Sequence, residues 1–316
     1  MTGIGKNLVQ FLTIDSEYAG QRVDNFLFHT LKGVPKSHVY RLIRAGEVRI
    51  NKKRIQAATR LETGDVLRIP PVRTALLKKP DNIPVPACTF PVLYEDDVLL
   101  AIDKPAGIAV HGGSGISYGV IEQIRQTRTD LRYLELVHRL DRETSGVLLI
   151  AKKRSALVKL HAYFRQHTPQ KTYYALGCGI WNKKIRSVKQ PLFKFHNAAG
   201  EKFVRVDHER GQYAHTVFEV ESYFPDFSLL KVILKTGRTH QIRVHMQAEG
   251  CPIAGDGKYG LFALNKELTK KGLKRMFLHA SSLSLPHPVS GESLTISSAL
   301  PSELANFLDS LKYRTD

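Results

Sequence analysis

Six of the 15 prolines in this chain crowd into residues 70–91, PPVRTALLKKPDNIPVPACTFP. Proline fixes φ and carries no amide donor, so a stretch this rich in it cannot continue a helix or lie in the middle of a sheet, and favours extended chain. It reads as a linker beginning near residue 70, and it divides the sequence into a front block of residues 1–84 and a larger block of residues 85–316. With 316 residues and 42% hydrophobic content there is enough apolar material for more than one buried core, which argues against disorder as the main state.

Charge narrows the choice of partner. Lys and Arg total 47 against 29 Asp and Glu, a net +18. An excess of that size points to a polyanion, with nucleic acid ahead of an anionic membrane. The front block alone holds 15 Lys or Arg against 7 acids, so its charge density is the higher of the two. No basic start followed by a long apolar core is found at the N-terminus, and apolar stretches such as VLLIA (147–151) are too short to span a bilayer. Cys88, Cys178 and Cys251 are odd in number and form no CxxC pair, which supports neither a disulfide framework nor a zinc ribbon. The expectation is a soluble protein of the reducing cytoplasm with no membrane partner, monomeric by default.

In the front block, QRVDNFLFHTL and SHVYRLIRAG carry apolar residues at three- and four-residue spacing. This pattern predicts two short amphipathic helices, the second capped by Ser37 and stopped by Gly46. EVRINKKRI and DVLRIP alternate apolar with charged residues and predict paired strands joined through LETGD. In the larger block, VLYEDDVLLAID predicts a strand, an acidic turn and a strand; GVLLIAKK predicts a buried strand; Ser155–His167 predicts a helix capped by Ser155. KTYYALGCGI, AHTVFEVESYF and SLLKVILK alternate as strands, and Thr239 is placed to cap a helix that ends at Gly250. Strands predominate and long crossovers are rare, so the fold class expected is α+β: a mixed, mainly antiparallel sheet with flanking helices, preceded by a small α/β domain.

Several chemistries lack their residues. No GxxxxGK[ST] is present, GxSxG is missing although GGSGI (112–116) comes near it, and GCG (177–179) reads as a strand bend. His240 and His245, five apart, would not share a helical face, and no carboxylate or thiol joins them at ligand spacing, so no metal site is expected. What remains is HRLDRETSG, residues 138–146, where Asp141 stands between Arg139 and Arg142. Nearby cations favour the charged form of a carboxylate, and such an acid serves as nucleophile, base or electrostatic stabiliser rather than proton donor. A buried Arg–Asp pair that fixes a loop would leave the same trace. Glu143, two residues on, is expected at the surface or pairing within the loop.

VHRLDRETSGVLLIAKK, then QKTYYA, then LKTGRTHQIRVHMQAEGCPIAGDGKYG resemble the RluA family of RNA pseudouridine synthases, and VLYEDDVLLAIDKPAGIAVHGG is similar to that family's opening motif. The likeness spans residues 90–290 and is greatest to the members that modify large-subunit ribosomal RNA. Residues 20–70, with SHVYRLIRAGEVRINKKRI, resemble the S4 RNA-binding module. What the resemblance implies is an isomerase acting on uridine in large-subunit ribosomal RNA or a pre-ribosomal particle. Asp141 would be its catalytic aspartate, Tyr173 the active-site tyrosine and Arg243 the arginine paired with the aspartate. Arg139, beside His138, would displace the target base. Of the two adjacent tyrosines, only one can face the pocket from a strand. The basic set Lys36, Arg41, Arg44, Lys52, Lys53 and Arg54 would track phosphates. The net reaction moves no atom in or out, so no cofactor or metal is implied. Two rivals stay open: an RNA-binding protein without activity, and an S4-containing aminoacyl-tRNA synthetase, against which the lack of HIGH and KMSKS signatures argues.

Overall fold

The computed structural model describes residues 8–72 and 85–312, apart from residues 16, 17, 32, 114, 115, 167, 168 and 199. Most of the proline-rich linker and the serine of GGSGI therefore lie outside the described residues. The chain divides into two compact units, Met1–Pro84 and Val85–Asp316.

The first unit comprises β1 (Gln10–Thr13), α1 (Val23–Thr30), α2 (Lys36–Arg44), β2 (Arg49–Ile50), β3 (Lys53–Arg54) and β4 (Val66–Ile69), with strand order β1-β4-β2-β3. Val23, Phe26 and Leu27 on α1 and Val39, Leu42 and Ile43 on α2 recur at helical spacing and form its core with Leu67 and Ile69 of β4. Ser37 does not cap α2: the N-cap is Pro35, which starts the helix without a side-chain hydrogen bond. A proline needs no partner for a missing amide, so the helix begins two residues earlier than a serine cap would place it. Gly46 follows the helix end at φ 72°. EVRINKKRI is a two-residue hairpin rather than a long strand. Asn51 and Lys52 both take positive φ, 49° and 67°, as a tight turn of the twist-matched kind requires. Asn51 fixes it by donating to Asp65 at 2.8 Å and accepting from the Val66 amide at 2.9 Å.

The second unit runs β5 (Val92–Glu95), β6 (Leu99–Lys104), α3 (Val120–Thr127), β7 (Glu135–Leu136), β8 (Ser145–Ala151), α4 (Arg154–Gln166), β9 (Gln170–Cys178), β10 (Ser187–Val188), β11 (Leu192–His196) and β12 (Lys202–Val206). It continues through β13 (Thr216–Phe224), β14 (Phe227–Leu234), α5 (Gln241–Ala248), α6 (Phe262–Lys270), β15 (Leu278–Pro286), β16 (Ser293–Ser297) and α7 (Ser302–Lys312). The main sheet has the order β10-β13-β14-β9-β15-β8-β6-β5, with β16 on β15 and β7 on β8, and β11–β12 form a separate hairpin. Only the β15–β8 pairing is parallel among the described strands, so the sheet is mixed and mainly antiparallel.

Every residue of β8 is buried, which explains its unbroken apolar run. Leu148 and Ile150 enter one core with residues of α3 and α7, while Val147, Leu149 and Ala151 enter a second with Ala156 and Leu160 of α4. Strand alternation thus feeds two layers, one on each face. Helix α4 starts at Arg154, which puts Ser155 inside its first turn rather than at the cap.

Candidate active site

Three elements of the second unit converge on one pocket. The turn after β7 supplies Asp141, β9 supplies Tyr173, and the start of α5 supplies His240 and Arg243. Asp141 is placed by the backbone around it: the Thr144 amide donates to its carbonyl at 3.1 Å, and β8 begins one residue later. Beneath that turn lies Lys104, fully buried, whose Nζ donates to the carbonyls of Pro105, Ile108 and Arg142 at 2.7, 2.7 and 3.1 Å. Burial, helped by the nearby Arg275, brings its ammonium down to about 7.

The entry to α5 is built on Gln241. Its side-chain oxygen accepts from the Arg238 amide at 3.0 Å and from Thr236 Oγ1 at 2.7 Å, and its amide nitrogen donates to Thr216 Oγ1 at 2.8 Å. The N-cap is His240, at φ 54°, and Thr239 makes no cap. The left-handed residue His240 starts the helix one position later than a cap at Thr239 would.

Arg243 has two acids, and they are unequal. Its Nε and Nη2 each lie 2.7 Å from the two oxygens of Asp256, a bidentate pair in which Asp256 is wholly buried. Its Nη1 reaches Asp141 Oδ2 at 3.6 Å. Burial opposes the charge on both partners, but the pair more than reverses this: Asp256 sits below its ordinary value and Arg243 above its own. Asp141 keeps 22% of its side chain exposed, so the acid that faces the pocket is the one Arg243 holds loosely.

The pocket has a volume of about 250 Å³, below the ~300 Å³ at which drug-sized sites begin. One flat base is a better match than a larger ligand. Tyr173 lines it and Tyr174 does not; burial, then the charge of Asp141, pushes the Tyr173 phenol well above its ordinary value, so it stays protonated. Lys171, two residues before it, lies over the Phe164 ring at 4.8 Å, and burial lowers its ammonium to about 8. No helix among the described residues is long and apolar enough to cross a membrane. Nor do they contain a group of three or more His, Cys, Asp or Glu able to hold a metal ion.

A family model described as RNA pseudouridylate synthase matches residues 98–248, and an S4 domain model matches residues 21–67. Over 311 residues the chain is 48% identical to the ribosomal large subunit pseudouridine synthase C of Pasteurella multocida (strain Pm70), which covers 96% of this chain and 94% of that one. The chain belongs to the RNA pseudouridylate synthase family. This synthase is also 49% identical over 310 residues to the ribosomal large subunit pseudouridine synthase C of Escherichia coli (strain K12), covering 96% and 97% of the two chains. Among solved structures it is similar to human RNA pseudouridylate synthase domain containing 4, at 26% identity and a TM-score of 0.56 over 70% of this chain and 93% of that one.

The synthase does not use the sequence neighbours of Asp141 as its cations. Arg142 donates to the Gly107 carbonyl at 2.9 Å and pairs with Glu143 at 3.5 Å, while Arg139 is exposed at the pocket wall. The guanidinium that the fold brings to Asp141 is that of Arg243, distant in the chain. His138 also lines the pocket, but its Nε2 accepts the Leu149 amide at 3.1 Å and its ring stacks on Phe164. Burial, with Lys171 nearby, lowers it to about 3, so the ring is neutral. In the S4 unit Lys36, Arg41, Arg44, Lys52, Lys53 and Arg54 are exposed. They are not equally free: Arg54 donates to the Ala45 carbonyl at 3.2 Å and Arg49 to that of Gly46 at 3.0 Å, closing the end of α2. Sequence reasoning missed Asp256, Tyr259, Lys171 and the position of His240. GDGKYG held the signal for the first two, an acid and an aromatic among glycines where the chain turns tightly.

Proposed function

We propose that this synthase converts selected uridines of large-subunit ribosomal RNA to pseudouridine, with Asp141 as the reacting carboxylate, Tyr173 against the extruded base and Arg243 orienting the acid. The convergence of these three residues on one pocket, with Arg243 Nη1 3.6 Å from Asp141 Oδ2, carries the reading. The RNA class rests on the names of the relatives that match over nearly the whole chain.

The reaction breaks the base–ribose carbon–nitrogen bond, turns the uracil and rejoins it through a ring carbon. A hydrolytic glycosidase uses two carboxylates because its leaving group must be protonated while water is activated opposite. Uracil departs as a delocalised anion and is recaptured, so one carboxylate suffices if water is kept out. Attack at the ribose, addition to the base and removal of a ribose proton all call on the same oxygen. Lifting the nucleotide from its stack costs a few kcal/mol, less for an unpaired base. Arg139, which lines the pocket together with His138, would occupy the vacated position. The basic face of the S4 unit, from Lys36 and Arg41 through Arg44 to Lys52, Lys53 and Arg54, would supply sequence-independent phosphate contacts.

The test incubates purified protein with unmodified large-subunit ribosomal RNA and maps carbodiimide-reactive uridines, with Asp141→Asn alongside. New pseudouridine with the unaltered chain and none with the variant is the expected result. Equal patterns from both would overturn the assignment of Asp141.

A further inference from the structure

His240 sits in the pocket without a role in the reading above. It is held at φ 54° and ψ 19°, a left-handed conformation that a β-carbon disfavours, and it is one of three non-glycine residues so placed among those described. The neighbouring Gln241 anchors the backbone from one side, as described. A second anchor acts on the ring itself: Nδ1 lies 2.7 Å from the hydroxyl of Tyr259, whose ring meets the imidazole edge-on at 5.4 Å. The opposite nitrogen, Nε2, lies 3.9 Å from Asp141 Oδ2.

The Tyr259 hydroxyl decides which nitrogen carries the proton. It accepts the Val204 amide of β12 at 2.9 Å, and burial raises the phenol to about 12, so it keeps its own proton. That proton has the His240 Nδ1 lone pair in reach. Burial, with Arg243 and Lys258 and against the opposing pull of Asp141, holds the imidazole neutral, and a neutral ring has a single N–H. With Nδ1 accepting, the N–H is on Nε2 and faces a carboxylate that can only accept. The other tautomer would set a lone pair against the carboxylate and leave the tyrosine proton without the ring as its acceptor.

The geometry points to His240 as a positioning residue for Asp141: fixed by Tyr259, its Nε2–H orients the carboxylate oxygen toward the extruded uridine. This rests on Asp141 being the reacting group. The separation of 3.9 Å is longer than a hydrogen bond, and contacts of this kind commonly tighten once substrate is seated. Because Tyr259 also receives the amide of β12, the β11–β12 hairpin, where Arg205, Arg210 and Lys258 lie over Phe195, Phe193 and Phe203, is joined by hydrogen bonds to the His240 ring that faces the acid. Arg243 stands over the same tyrosine ring at 4.9 Å, so the ring must remain aromatic in any test of its hydroxyl.

The experiment measures single-turnover pseudouridine formation and RNA dissociation constants on one large-subunit ribosomal RNA fragment, using the full chain. His240→Ala is expected to lower the rate about 10- to 100-fold, the scale of a misplaced reacting group, with RNA affinity unchanged. His240→Gln, which can return an N–H to the same place, is expected to recover part of that loss. Tyr259→Phe keeps the ring and should slow the reaction in the same sense, and adding it to His240→Ala should do no further harm. Should His240→Ala fail to fold, Tyr259→Phe against Tyr259→Phe with His240→Gln carries the test, since a fixed tautomer no longer matters to an amide. An unaltered rate in His240→Ala, a loss confined to RNA affinity, or additive losses from the two positions would each overturn the inference. Asp141→Asn in the same assay separates the two levels: if it stays active, the underlying assignment fails, whereas an inactive Asp141→Asn beside a fully active His240→Ala sinks only the role of His240.

Discussion

Replacing Asp256 by Asn is the sharpest test of how the site is built. The carboxylate is fully buried, and its Oδ1 accepts three donors: Arg243 Nη2 at 2.7 Å, the Lys258 amide at 2.8 Å and the Tyr259 amide at 3.0 Å. Oδ2 accepts Arg243 Nε at 2.7 Å. Asparagine can keep its one oxygen toward the three donors, but its NH2 then faces the Nε–H of a guanidinium that has lost its counter-charge. Removing one member of a buried pair costs about 3–5 kcal/mol, and the retained acceptor puts this case near 3. Urea unfolding followed at Trp181, the single tryptophan, buried in the second unit, reads this unit alone. The effect has a sign in pH. Burial alone would raise the Asp256 carboxyl, and the Arg243 contacts with the two amides bring it below its ordinary 3.8 in the folded chain. Its contribution is therefore complete above that ordinary value and is lost as pH falls through the lower folded one. The variant lacks this dependence, so the stability gap should be full at pH 7 and should narrow in acid. Arg243, released from Asp256, is expected to close on Asp141 and slow turnover as well. A gap under about 1 kcal/mol at pH 7, within the range of an ordinary surface pair, or one that did not narrow in acid, would refute the argument.

Lys171, brought to about 8 by burial, loses its charge within the assayable range, so RNA affinity should weaken from pH 7 to pH 9; Lys171→Met should flatten that portion, and persistence of the full inflection would assign it elsewhere. Lys52→Ala with Lys53→Ala on the exposed β2–β3 turn should reduce the slope of log affinity against log salt by roughly one to two phosphate contacts, leaving the Trp181 unfolding midpoint unchanged; an unaltered slope would remove that turn from the RNA surface. Gly146→Ala should destabilise the second unit by about 1–3 kcal/mol, because at φ 109° its new methyl meets the Ala280 carbonyl across the β8–β15 pairing; a neutral result by urea titration would mean the two strands part freely.

The elements that periodicity marks well are those whose burial matches their spacing. The helices of the first unit and the alternating strands β13 and β14 declare themselves because apolar residues recur at 3.6 or 2, and β8 does so by having no polar face at all; β9 alternates less cleanly, its last four residues all being buried. Ser37, Ser155 and Thr239 are not caps because hydroxyls near a helix start are frequent and the backbone can begin the helix elsewhere: at Pro35 for α2, at Arg154 for α4 and after the left-handed His240 for α5. Asp141 stood out locally, but the cation beside it did not. Arg139 and Arg142 flank it in sequence, yet consecutive residues in a turn diverge, and Arg142 turns to Gly107. Arg243 arrives only when α5 packs near the β7–β8 turn, a long-range event that no window of sequence contains. The family likeness supplied that pairing; it did not supply Asp256, which holds the arginine more tightly than Asp141 does.

Strand β15 lies between β8 and β9, although some hundred residues separate it from either in the chain. The segment bearing Asp141 belongs to one half of the sheet, and those bearing Tyr173 and Arg243 to the other. Residues 278–286 are the strand that the two halves share. Joining the two halves therefore depends on pairings between residues far apart in the chain, the class of contact that is slow to form.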